Sequence, residues 1–221
     1  MCSSDLFQRA AAPINALAED LRQVHSVRML EQSAAVGLDP LLGFGQRRTY
    51  VVLGQNDQEI RPTGGYIGTM GIIVVENGRL VSSDYRASTE FDPPTPPNRR
   101  SPQALITYMA AQRWHTFDAN WDAHFPTSAQ RVLDFLQQDR GITADGVIAV
   151  NTPMIQLLLR ATGPLKVDGI AEPLTADNFL TQTEEEIFES GADSVARKRQ
   201  VFQPVLRDLI GRVQDASAES V

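Results

Sequence analysis

Between positions 55 and 68 the chain reads Gln55-Asn56-Asp57-Gln58-Glu59-Ile60-Arg61-Pro62-Thr63-Gly64-Gly65-Tyr66-Ile67-Gly68, which crowds carboxamides, an arginine and three glycines into one stretch. Gly64 and Gly65 permit positive φ and close backbone approach, so the peptide N–H groups of such a loop can form an anion nest beside Arg61. The other reading is an architectural loop whose Asn and Glu side chains satisfy its own backbone, and the residue types fit both. The stretch lacks the Gly-Lys-Ser/Thr ending of a P-loop. A strand pattern rather than a helix follows it, which excludes the dinucleotide fingerprint.

Residues 114–126 gather both tryptophans, two of the three histidines and two aspartates. Asp118, Asn120 and Asp122 imitate the opening of a calcium loop, but Ala123 stands where the sharp turn needs Gly and Ala129 where the bidentate Glu belongs. Aromatic packing of a long loop is preferred here over a His/Asp metal site, with tryptophans stacking on sugar rings as the third reading. Neither Gly-x-Ser-x-Gly nor His-Glu-x-x-His occurs, which removes those two hydrolase routes.

These residues need elements to hold them. Residues 50–53 form a β-rich run stopping at Gly54. Residues 66–75 form a second, and Asn77-Gly78 turns it into a third that continues towards Arg86, a β-meander. The prolines of 92–97 cannot donate ladder bonds and require an exposed, stiff loop. Helices are predicted over 102–113 and 127–139, the second with Val132, Phe135 and Leu136 on one face and Gly141 past its end. A strand at 146–150 precedes Asn151 as N-cap of a helix over 154–161. A short strand follows at 165–167, then a helix from a Thr175 cap through Glu186, and a last helix from Asp193 or Ser194 that Pro204 should kink or interrupt. Residues 6–36 read as an amphipathic Ala-rich helix. The fold expected is α/β (α+β): a mixed central β-sheet with a β-meander, flanked by helices.

The 221 residues suffice for one continuous core, and the formal charge of -7, from 20 Lys+Arg against 27 Asp+Glu, opposes general attraction to nucleic acid or anionic lipid. Cys2 is the sole cysteine, so neither an internal disulfide nor a Cys-x-x-Cys centre exists. No run of about 18 apolar residues occurs, and the N-terminus lacks a signal-peptide pattern. Residues 1–6 join the helix abruptly and read as a translated adapter remnant, in which case a signal or membrane anchor is expected upstream. The organisation expected is a helical segment over 1–44 and one truncated domain over 45–221.

Val52-Leu53-Gly54-Gln55-Asn56, the Glu59-x-Arg61-Pro62-Thr63-Gly64-Gly65-Tyr66-Ile67-Gly68 run, Asp145-Gly146-Val147-Ile148-Ala149-Val150 and Thr162-Gly163-Pro164 resemble the bacterial domain of unknown function 4012 family, over roughly 48–213. That family in turn resembles the LytR-CpsA-Psr envelope enzymes, which transfer glycopolymers from polyprenyl-pyrophosphate carriers. Leu53-Gly54-Gln55-Asn56 stands where those enzymes have Leu-Gly-Ser-Asp, and Thr69-Met70 with Ile72 to Val75 is similar to their Asp-Thr-Met strand. Asp84-Tyr85-Arg86 and Arg197-Lys198-Arg199-Gln200 match two further segments.

The resemblance implies an extracytoplasmic, membrane-anchored domain whose partner is an envelope glycopolymer or polyprenyl-phosphate lipid. A non-catalytic envelope scaffold or sugar-binding module is the alternative. Ligand contacts would come from Asn56, Arg61, Gly64, Gly65, Arg86, Arg197, Arg199 and Gln200, the four guanidiniums converging as a phosphate clamp. Glu59 and Asp84 would be the candidate bases for the acceptor hydroxyl. Magnesium is the implied cofactor, but Asn56, Gly68 and Ala87 stand where its carboxylates are expected, so no metal ligand is assigned.

Overall fold

The computed structural model describes residues 40–95 and 97–218, and the helix expected over 6–36 lies outside them. Four strands form one mixed sheet in the order β3-β2-β1-β4. They are β1 (Arg48–Asn56), β2 (Tyr66–Glu76), β3 (Arg79–Ala87) and β4 (Gly146–Asn151). Strands β1, β2 and β3 are the predicted antiparallel meander, while β4 returns to pair parallel with β1. Asn77 and Gly78 both take positive φ, 50° and 74°, the geometry a two-residue hairpin with matched twist demands.

Val51, Val52 and Leu53 are all buried because both faces of β1 are covered. Contrary to the expected stop at Gly54, β1 continues to Asn56, with a register shift between Gly54 and Gln55. One face, carrying Val51, Leu53, Ile67 and Met70, packs against helix α2 (Phe125–Arg140) and the aromatic segment before it. A short helix, α1 (Gln103–Met109), ends at Ala110 in left-handed conformation and so covers only part of the helix expected over 102–113. The other face, with Val52, Ile73 and Tyr85, lies under α3 (Thr152–Thr162), α4 (Phe179–Glu189) and α5 (Ser194–Ala218), which share a second core.

Local chemistry sets most of these boundaries. The Asn151 side chain accepts from Met154 N at 3.2 Å, the predicted cap of α3. Helix α4 begins later than expected because Thr175 and Asn178 bond each other reciprocally and hold a turn ahead of it. The strand expected at 165–167 reduces to a single bridge between Leu165 and Leu174. Pro204 does not interrupt α5, although a proline there leaves the Gln200 carbonyl without its helical donor. Gln203 turns towards strand β3: its Oε1 accepts from Tyr85 N, and its Nε2 donates to Ser83 O at 3.0 Å.

Asp145 fastens the start of the β1/β4 pair. Its carboxylate accepts from Arg48 Nη1 at 2.8 Å and Thr49 N at 2.7 Å, and its own N–H donates to Thr49 O at 2.7 Å. The Thr49 amide and then the Arg48 guanidinium hold its pKa below the ordinary value. A depressed carboxylate pKa contributes stability above the unfolded value of about 3.9, and the contribution disappears as pH falls through the folded value. The pair is partly solvated, so Asp145→Asn is expected to lower unfolding free energy by only about 1 kcal/mol at pH 7. Urea unfolding of both proteins should show this gap narrowing as the pH drops below about 4.

Candidate functional site

The glycine-rich loop is held from inside. Buried Asn120 donates through Nδ2 to Pro62 O at 2.9 Å and Gly65 O at 2.7 Å, and Gln55 Nε2 donates to Thr63 Oγ1 at 3.0 Å. Gly65 adopts φ 124°, and a Cβ there would come within 2.1 Å of Asn56 O. Asn120 thus ties the loop's carbonyls to the segment before α2, and within the loop Asn56 Oδ1 accepts from Gln58 N at 3.1 Å.

Arg61 Nη1 donates to Ile60 O of the same loop at 2.9 Å. Its Nε lies 3.4 Å from Asp118, and its guanidinium sits over the Tyr66 ring. Burial raises the pKa of Asp118, with Arg61 opposing the shift. Burial first, then the charges of Asp118 and Glu59, push Tyr66 up to about 12. Residues 114–126 pack as an aromatic layer: Trp114 meets Phe135 edge-on, His115 stacks on Phe117, and Arg131 covers the Trp114 ring. His115 Nδ1 is hydrogen-bonded to Asp92 at 2.8 Å. Among the described residues no group of three or more His, Cys, Asp or Glu is arranged to hold a metal.

A cavity of about 130 Å³ opens on the opposite side of the sheet, between its Tyr85 face and helices α3, α4 and α5. The parallel strands β1 and β4 both end there, at Asn56 and Asn151, the place where open α/β sheets receive ligands. Its inner wall is apolar, from Val52, Ile155, Phe179, Phe202 and Leu206. Tyr85 forms the floor, sharing a 2.8 Å hydrogen bond with Thr69 and pushed up to about 12 mainly by burial. The ring reaches across two strands: a Cβ on Gly71 would lie 2.2 Å from Tyr85 Cδ2, and one on Gly54 2.1 Å from its hydroxyl.

Of the residues expected to act, Asn56 and Glu59 line this cavity, with Asn56 Nδ2 donating to Glu59 Oε1 at 3.3 Å. Gly64 and Gly65 stay in the loop beside it. The guanidiniums do not line it. Arg86 lies on the α2 face, over the Phe91 ring, and pairs with Asp84 at 3.0 Å. Arg199 also reaches Asp84, at 3.4 Å. Arg197 pairs with Glu186 and donates to Gly169 O and Gln200 Oε1, which holds Gln200 there too. Asp84, neutralised by two arginines away from the cavity, is not positioned as its base.

The cation that does line the cavity is Lys198. It enters none of the ion pairs formed among the described residues. Burial lowers its pKa, and the charge of Glu59 partly restores it. Its signal was present in the sequence: Lys198 precedes Val201, Val205 and Leu209, the buried stripe of α5, at helical spacing, whereas Arg197 and Arg199 fall to either side.

The sequence model described as "Protein of unknown function (DUF4012)" matches residues 45–188. No curated protein matches the chain. Solved structures are also similar, two among them as follows. One is the transcriptional regulator yvhJ from Bacillus subtilis, at 10% identity and TM-score 0.44, covering 77% of this chain and 67% of that one. The other is a transcriptional regulator from Enterococcus faecalis, at 14% identity and TM-score 0.41, covering 81% and 65%. The chain thus spans about two thirds of each.

The floor is open to test. Gly71→Ala should destabilise by about 2 kcal/mol through overpacking against Tyr85. In a Tyr85→Leu background the same substitution should cost clearly less, and a double-mutant cycle by chemical denaturation reads the coupling.

Proposed function

From the premise that the chain belongs to the DUF4012 family over residues 45–188, we propose that it binds phosphate-linked envelope glycopolymers or their polyprenyl carriers, prenyl end inward. The observation that carries this reading is a lysine facing an apolar cavity at the ends of two parallel strands. The N-terminus of α3 adds to it. Asn151 and Thr152 line the same cavity, and the positive end of the helix macrodipole favours an anion there. The volume suits roughly one benzene-sized group, so the prenyl unit next to the phosphate is the part enclosed. The resemblance of Leu53 to Asn56 and of the Thr69 strand to the LytR-CpsA-Psr enzymes supports a prenyl-linked phosphate as ligand and, with it, a location outside the cytoplasmic membrane. Glu59, which lines the cavity, would take the acceptor hydroxyl's proton in a transfer step. Among the described residues no helix is long and apolar enough to cross a membrane, so anchoring would fall to other parts of the protein.

Titration with a short-chain prenyl phosphate, followed by calorimetry, tests the reading. Saturable binding is expected. Lys198→Met should weaken it about tenfold or more by removing a charge-assisted contact, while Arg199→Gln should leave it nearly unchanged. Lys198→Met should also raise the melting temperature of the free protein, because the substitution removes the desolvation penalty that depresses the lysine's pKa. Absence of binding at millimolar ligand would leave the scaffold or sugar-binding alternative standing.

A further inference from the structure

We propose that the cavity selects a singly charged phosphodiester head over a pyrophosphate, an inference that rests on the prenyl-phosphate reading above. The charged side chains lining the cavity, among the described residues, are Lys198, Glu59 and Glu184. One cation therefore faces two carboxylates, and the lining carries a net charge of about -1 before any ligand arrives. Glu59 and Glu184 are exposed while Lys198 is half-buried, which puts the carboxylates at the mouth and the ammonium further in.

The arginines that could have balanced a second phosphate are committed elsewhere. Arg197 is held by Glu186, and Arg86 and Arg199 share Asp84. Arg61 is held by Asp118 across the loop. A head with one negative charge matches Lys198 and the α3 N-terminus. Each additional charge adds repulsion from both glutamates without gaining a partner. Two carboxylates against one ammonium leave a net repulsion for every charge beyond the first. A monoanionic head is also what remains when a prenyl phosphate carries one esterified group, such as a single sugar.

The test compares three probes sharing one tail, geraniol, geranyl methyl phosphate and geranyl diphosphate, on the wild type and on Glu59→Gln/Glu184→Gln. The methyl phosphate ester should bind wild type at least tenfold more tightly than either of the others. In the double variant the ratio of diphosphate to methyl phosphate affinity should rise about tenfold or more. Diphosphate binding tightest to wild type, or a ratio unmoved by the double variant, would overturn the charge selection and leave the prenyl-phosphate reading intact. Geraniol equalling the methyl phosphate would also overturn it, by showing that charge is not read. Failure of every probe on both proteins would instead defeat the underlying reading, and the selection with it.

Discussion

The position of one aromatic ring governs this fold. Tyr85 lies across strands β1 and β2 at distances that only glycine at 54 and 71 allows, and its hydroxyl is satisfied by Thr69. A larger residue at either glycine would lift the ring off the sheet and drive it into the space under α3 and α5. Burying a phenol against backbone gives the cavity a hard floor with its one polar group already paired. The walls above it can then remain apolar without leaving an orphaned donor at the bottom.

The second determinant is how charge is distributed. Four arginines that a sequence reading gathers into a clamp are each consumed by a carboxylate, and two of them meet at Asp84. Those pairs tie the loop to the aromatic layer, α5 to the edge of β3, and α5 to α4. They leave the site with a single half-buried ammonium, which is expensive to keep dehydrated and therefore responsive to an anion. Structural pairing is thus left to the guanidiniums, and the ammonium that lines the cavity stands outside it, in line with the different hydration of the two groups.

Much of the sheet was legible in the sequence because its signals are local. Asn77-Gly78 dictates the hairpin, the apolar run at 50–53 requires a strand buried on both faces, and Asn151 caps the helix after β4. The strand expected at 165–167 shrank to one bridge because its apolar residues serve the helical core, not a ladder. The site was less legible. Residue type drew attention to Arg197 and Arg199, whereas helical phase, which turns about 100° per residue, decides that Lys198 is the one facing inward. Gly54 reads as a strand end and Gly71 carries no signal of its own, yet both mark close approach, by a ring that comes from a third strand through pairing that no local pattern encodes.

Gln203 replaces a neighbouring strand along part of β3, taking up the Tyr85 amide and the Ser83 carbonyl with one side chain. An incoming extended segment would find those groups occupied and a helix in its way, so growth of the sheet by edge addition is blocked on that margin. At the other margin, β4 pairs only with β1 among the described residues and leaves its outer edge without a strand. Any assembly of such domains through main-chain pairing would therefore be one-sided. Pairing of two copies along the β4 edge would close about a two-fold axis.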